Sequence, residues 1–153
     1  MVGGIVYDTI MAGTNILLDT NVVVAGLRSR RGASFKLLSI LGRQPGLQVH
    51  LSVPLVLEYE ATLLAQRSAI GLSVSDVEDV LDYLCSIAAH HEIYYLWRPF
   101  LRDPKDDMVL ELAVAAGCQT IVSYNAQDFR GSERFGMLVV SAKELLVRLG
   151  VLK

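Results

Sequence analysis

The chain has 153 residues, a formal charge of −2 at pH 7, and 52% apolar against 20% charged side chains. That length suits a single domain with a sizeable core, and the charge excludes a global basic field, so any polyanion must meet a local patch. Mean hydropathy is +0.42, but no uninterrupted apolar run reaches membrane-spanning length, so the surplus predicts an apolar subunit interface and no membrane partner.

Residues 1–15 lack a basic start and Asp8 interrupts their apolar run, so no signal peptide is expected. Residues 1–13 read as an N-terminal extension, with Met11 an alternative start, ahead of a core over about 14–142. Cys85 and Cys118 lie far apart without CxxC spacing, which suits reduced thiols and a cytoplasmic location.

Ile16, Leu17 and Leu18 predict a buried strand with Asp19 at its carboxyl end, and Thr20 or Asn21 as the cap of a helix running towards Leu27. Gly32 opens a break after Arg28, Arg30 and Arg31. Phe35, Leu37, Leu38 and Leu41 then mark a short amphipathic helix ending near Gly42. After the Pro45-Gly46 turn, residues 47–53 alternate as a strand, with Leu47, Val49, Leu51 and Val53 on one face. Pro54 starts a helix through Val56, Leu57, Glu58 and Leu63 to about Ala69. Residues 73–91 form the longest helical pattern, with Ser75 as cap, Glu78 closing a capping box, and Val77, Val80, Leu81, Leu84 and Ile87 facing inward.

Residues 93–97 predict a strand, residues 98–105 a polar connection, and residues 106–116 a helix stopped by Gly117. A strand over 119–123 is followed by an irregular or short helical loop over 125–135. The last strand spans 137–140, and Ser141 caps a final helix to Leu149. Repeated alternation of strand and helix predicts an α/β fold, three-layer α/β/α with a central parallel sheet. Self-association would use the tail from Leu145 to Leu152 or the helix over 73–91, although core burial explains both equally well.

The acids follow from this layout. Asp19, Glu58, Asp106, Asp107 and Asp128 each lie in a connection after a strand or early in the helix it feeds, and such places converge on one end of a parallel sheet. Singly, each has an ordinary role: Asp19 as a cap, Glu58 as an exposed helix residue, Asp106 and Asp107 as complements to the helix dipole, Asp128 in a turn. Jointly they would repel one another unless a cation neutralised them, and oxygen ligands suit a hard divalent ion. No histidine lies near them, which argues against zinc, and His90 and His91 read as surface residues ending the long helix. Arg28, Arg30, Arg31 and Lys36 are candidate phosphate contacts, with Arg98, Arg102, Arg130 and Arg134 flanking the other acidic loops.

Four stretches carry a resemblance. Leu17-Leu18-Asp19-Thr20-Asn21, Leu57-Glu58-Tyr59, Asp103-Pro104-Lys105-Asp106-Asp107 with Leu110 and Ala113, and Ile121-Val122-Ser123 before Asn125-Ala126-Gln127-Asp128-Phe129 resemble a PIN domain, VapC-like in character, over about residues 14–142. The resemblance implies a nuclease site dependent on Mg²⁺ or Mn²⁺ that acts on RNA, with a small antitoxin protein as partner and a homodimer or higher homo-oligomer as its state. It implies Asp19, Glu58 and Asp106 as metal ligands. Where many members place an aspartate directly after the strand this chain has Asn125, so Asp128 is taken as the fourth acid with Asn125 assisting, and Asp103 and Asp107 as substitutes. Thr20 and Asn21 would orient Asp19, Arg28 would meet a phosphate, and Tyr124 would stack on a base.

Three other readings lack their residues. A haloacid-dehalogenase-like phosphatase needs a second aspartate where Asn21 stands, a receiver domain needs an acidic pair at the first strand, and a dinucleotide site needs Gly-x-Gly-x-x-Gly. A scaffold that binds RNA or a protein without cutting remains the alternative.

Overall fold

A computed structural model describes residues 14–93 and 100–153; the proposed extension over 1–13 lies outside the described residues. Strands β1 (Thr14–Leu18), β2 (Leu47–Ser52), β3 (Ala89–His91), β4 (Thr120–Val122) and β5 (Leu138–Val140) form a parallel sheet in the order β3-β2-β1-β4-β5. Helices α1 (Thr20–Arg28), α2 (Ala33–Ile40), α3 (Val53–Ile70), α4 (Val74–Ile87), α5 (Pro104–Ala115) and α6 (Ala142–Arg148) cover it. This is the expected three-layer α/β/α fold. Ile16, Leu17 and Leu18 are all fully buried, because a central parallel strand is covered on both faces and its apolar run need not alternate.

The chain works outward from β1 in both directions, so the strand order reverses between β1 and β4. Leu18 pairs with Val122 there, and the Asp19 amide donates to the Val122 carbonyl at 2.8 Å. Ligands of open α/β sheets bind outside the carboxyl ends of the strands at such a reversal. Local signals set the helices that surround it. Ser52 caps α3, with Pro54 in its first turn; Asp103 caps α5, and Gly117 follows that helix at φ +71°, a left-handed conformation that favours glycine.

Several expectations are corrected. Val53 does not share the buried face of β2 but opens α3 with 70% exposure, because the Ser52 cap ends the strand one residue sooner. Ser73 and Asp76, not Ser75 and Glu78, form the capping box of α4. That helix stops at Ile87, and residues expected in its last turn form β3. The strand expected over 93–97 falls mostly on residues outside those described, and Ile93 itself lies in no strand. Leu145 and Leu146 are buried, packing α6 against α2, so they serve the core.

His91 is not a surface residue ending a helix. Its Nε2 lies 2.7 Å from Nδ1 of His50, whose Nε2 lies 2.8 Å from Oδ1 of Asn15, so a polar chain ties β1, β2 and β3 together. His90 is exposed as expected, its Nε2 2.7 Å from the Cys85 carbonyl oxygen. Burial, and then the neighbouring His91, push the His50 pKa below its ordinary 6.5. A histidine depressed by folding contributes stability above 6.5 that is lost as pH falls through its folded value. The His50 ring resonances should therefore titrate below 6.5 in NMR spectra; a midpoint above 6.5 would contradict the buried chain.

Candidate metal centre

Asp19 stands where β1 meets α1, 8% exposed. The expectation that Thr20 or Asn21 caps α1 is corrected: Asp19 is the cap, its Oδ1 accepting from the Thr20 amide at 2.9 Å. Its other oxygen, Oδ2, accepts from the Ser123 hydroxyl at 2.7 Å and from the Asn21 amide at 3.2 Å. Burial pushes the Asp19 carboxyl above its ordinary range and Asp128 adds to this, while the bonds from Ser123, Thr20 and Asn21 oppose it. Capping alone would use one oxygen and leave the second free; here both are oriented.

The other acids meet Asp19 in one cleft of about 730 Å³, lined also by Thr20, Asn21, Arg28, Tyr124 and Asn125. Glu58 enters from α3, Asp106 from α5, and Asp128 from the single-turn helix Ala126–Phe129 that follows β4. The four acids thus line one space with Thr20, Asn21, Arg28, Tyr124 and Asn125, drawn from four separate stretches. Glu58 accepts from Thr62 at 3.3 Å and pairs with the Lys105 ammonium at 3.5 Å across the cleft. Arg28 donates to Gln66 at 3.1 Å on the rim. Tyr124, half exposed, shares a 2.6 Å hydrogen bond with Ser34 through its hydroxyl, and its amide donates to the Asn21 side-chain oxygen at 3.2 Å.

Asp106 bears the strongest accumulation of negative charge. Burial, then Asp19, Asp103, Asp128 and Asp107, raise it to about 6. Asp103 lines the cleft, but Asp107 does not: its Oδ1 accepts from the amides of Phe100 and Leu101 at 3.2 and 2.7 Å. Asp107 as a substitute ligand is therefore corrected to a loop anchor. Arg30, Arg31, Lys36 and Arg134 line neither this cleft nor its neighbours, and Arg98 lies outside the described residues.

The model of the PIN domain matches residues 15–127, most of the chain, which includes Asp19, Glu58 and Asp106 and ends one residue before Asp128. The chain belongs to the PIN domain family. PIN domains are generally nucleases, and those nucleases generally use divalent metals. A chain in the crystal structure of VapBC2 from Rickettsia felis, bound to a DNA fragment from their promoter, superposes with a TM-score of 0.57 at 14% identity, covering 84% of this chain and 98% of that one. At that identity the likeness shows the fold. No curated protein matches the sequence.

The donors of this PIN domain fit a hard cation: they are carboxylate and amide oxygens, and two of the carboxyls, Asp19 and Asp106, are held at raised pKa by burial and by neighbouring acids. Among the described residues, no three His, Cys, Asp or Glu side chains stand close enough to share one ion directly. Mg²⁺ commonly takes only one or two carboxylates and keeps several waters. Ser123 went unrecognised in the sequence. It is 3% exposed, donates to Asp19, and accepts from the Asn125 amide at 3.0 Å, joining the ends of β1 and β4. The one available signal was its place after Ile121-Val122, matching that of Asp19 after Leu17-Leu18.

A raised carboxyl holds its proton more firmly in the native state, so its contribution to stability is present at low pH and declines as pH rises from 3.8 through about 6. A cation should reverse that decline. The melting temperature gained on adding Mn²⁺ over EDTA should therefore be larger at pH 8 than at pH 5, by ~2–4 °C for each kcal/mol of difference in a chain of this size. Equal gains at both pH values would argue against carboxylate ligation.

Proposed function

We propose that this PIN domain is a ribonuclease dependent on Mg²⁺ or Mn²⁺, acting within RNA chains as the toxin of a toxin–antitoxin pair. The observation that carries the reading is the meeting of Asp19, Glu58, Asp106 and Asp128 in one cleft at the reversal of strand order. When bound, the ion supplies Lewis acidity that activates water and offsets charge on the phosphoryl oxygens. One or two of Asp19, Glu58, Asp106 and Asp128 would hold it directly and the others through waters that it keeps, with the Asn125 amide oxygen assisting. Ser123, Thr20 and Asn21 keep both oxygens of Asp19 oriented. Arg28 and Lys105, on the cleft walls, would meet phosphates of the strand, and Tyr124, held by Ser34, would stack on a base. No protein side chain is required as a covalent nucleophile.

A small antitoxin protein as partner, self-association into a homodimer or higher homo-oligomer, and a cytoplasmic location belong to the same proposal. Both cysteines are free, and among the described residues no helix is long and apolar enough to cross a membrane. One observation favours a second reading, a scaffold that binds RNA or a protein without cutting it. Glu58 is already paired with Lys105, which would compete with a metal ion for its carboxylate.

Purified protein incubated with end-labelled RNA separates the two. Cleavage should occur with Mg²⁺ or Mn²⁺, stop in EDTA, and return when the ion is restored. Binding without cleavage under all three conditions would favour the scaffold.

A further inference from the structure

The cleft does not end at the acids. Asp103, Asp106 and Asp128 also line a second groove of about 570 Å³, whose remaining walls are Phe100, Leu101, Arg102, Gln127 and Arg130. Arg28, Gln66 and Tyr124 line the first cleft only. The shared aspartates therefore form a divide, with a cationic wall on each side of it.

The second groove is built rather than incidental. Phe100 is 38% exposed, and its ring meets Phe135 edge-on at 5.2 Å and 84°. Behind it lies Gly131, at φ +97°, where an added Cβ would come within 3.1 Å of two ring atoms. The backbone carrying the ring is fixed by Asp107, which accepts from the amides of Phe100 and Leu101. A large aromatic ring is thus held partly in solvent. Arg102 and Arg130 are both exposed, and among the described residues neither guanidinium is held by a carboxylate. An aromatic face, two exposed guanidiniums and the Gln127 amide are the chemistry that takes up single-stranded nucleic acid: bases stack on the ring and phosphates meet the cations. The volume lies within the ~300–1,000 Å³ range of ligand sites.

We infer that this second groove holds the part of a single RNA strand that lies beyond the bond being cut, with a base on Phe100 and phosphates on Arg102 and Arg130. The inference rests on the ribonuclease reading and adds a subsite to it. A strand gripped on both sides of the divide is presented to the acids at an internal bond.

The test uses the whole chain. Affinity for a fluorescein-labelled single-stranded RNA twelve-mer is measured by anisotropy in Ca²⁺ over a range of salt, and cleavage is measured separately in Mn²⁺. Phe100→Ala should weaken binding about fivefold to 100-fold, and Phe100→Leu, which keeps apolar packing without the ring, should weaken it in the same direction. Arg102→Ala and Arg130→Ala should each lower the slope of log affinity against log salt by about 0.7. KM for cleavage should rise in parallel, while the melting-temperature gain on Mn²⁺ stays at the wild-type value. If the wild type binds and cleaves but Phe100→Leu and the arginine variants match it within twofold, the groove holds no RNA and the inference is overturned. A wild type that takes up Mn²⁺ yet neither binds nor cuts RNA would instead overturn the ribonuclease reading, and the subsite with it.

Discussion

Asp19→Asn and Asp106→Asn should each lower metal-dependent RNA cleavage by at least about 10²-fold, the scale on which one electrostatic partner of developing charge acts. Both substitutions preserve side-chain shape, and in Asp19→Asn the single amide oxygen can still accept from the Thr20 amide while the NH₂ group faces the Ser123 hydroxyl, which can accept. Stability should move the opposite way. The ionised carboxyls are disfavoured by burial and by neighbouring acids, which raises Asp19 and brings Asp106 to about 6. Removing either charge relieves that cost in metal-free protein at pH 8. The variants should then melt higher than wild type in EDTA, by ~2–4 °C for each kcal/mol relieved, and gain less on adding Mn²⁺. Such opposed effects are the mark of residues kept for function at the expense of stability. Labelled RNA and thermal melts of the same samples provide the measurement. Wild-type cleavage rates in both variants would point to a contaminating nuclease, and melting below wild type in EDTA would show that the carboxylates serve the fold.

Ser123→Ala should reduce metal affinity or cleavage about 10–100-fold, as loss of a group that orients a ligand does. The hydroxyl donates to Asp19 at 2.7 Å and accepts from the Asn125 amide at 3.0 Å, so one atom positions groups on both strand ends. Without it Asp19 Oδ2 keeps the 3.2 Å bond from Asn21, and the carboxylate is free to turn about the contact with Thr20. Losing a buried hydroxyl bonded to a charged group costs about 1–3 kcal/mol, so the melting temperature should also fall, in contrast to the aspartate variants. Titrating Mn²⁺ by calorimetry separates the roles. A variant that melts lower but binds Mn²⁺ as the wild type does would make Ser123 a fold residue only.

Wherever the chemistry is local, the chain could be read directly. Ile16, Leu17 and Leu18 announce a strand covered on both faces, and Asp19 interrupts it. Pro54 places the first turn of α3, and Pro104 and Gly117 bracket α5. These signals work within about one turn of backbone, because capping, φ restriction and side-chain periodicity act between near neighbours. The four acids could be nominated on the same basis, since each follows a strand.

Other features were decided by distant partners. Residues 89–91 continue a helical pattern, yet they pair with β2 because His91 finds His50 across the sheet. Asp106 and Asp107 are equivalent in the sequence as first-turn acids; the rotation of α5 against the sheet turns Asp106 into the cleft and Asp107 towards the backbone of Phe100 and Leu101. Ser123 reaches Asp19 only because Leu18 is in register with Val122, 104 positions on. Residue identities and local elements were therefore determined by the sequence, whereas helix rotation and strand register, and with them which acids meet, were decided by long-range packing that no local pattern encodes.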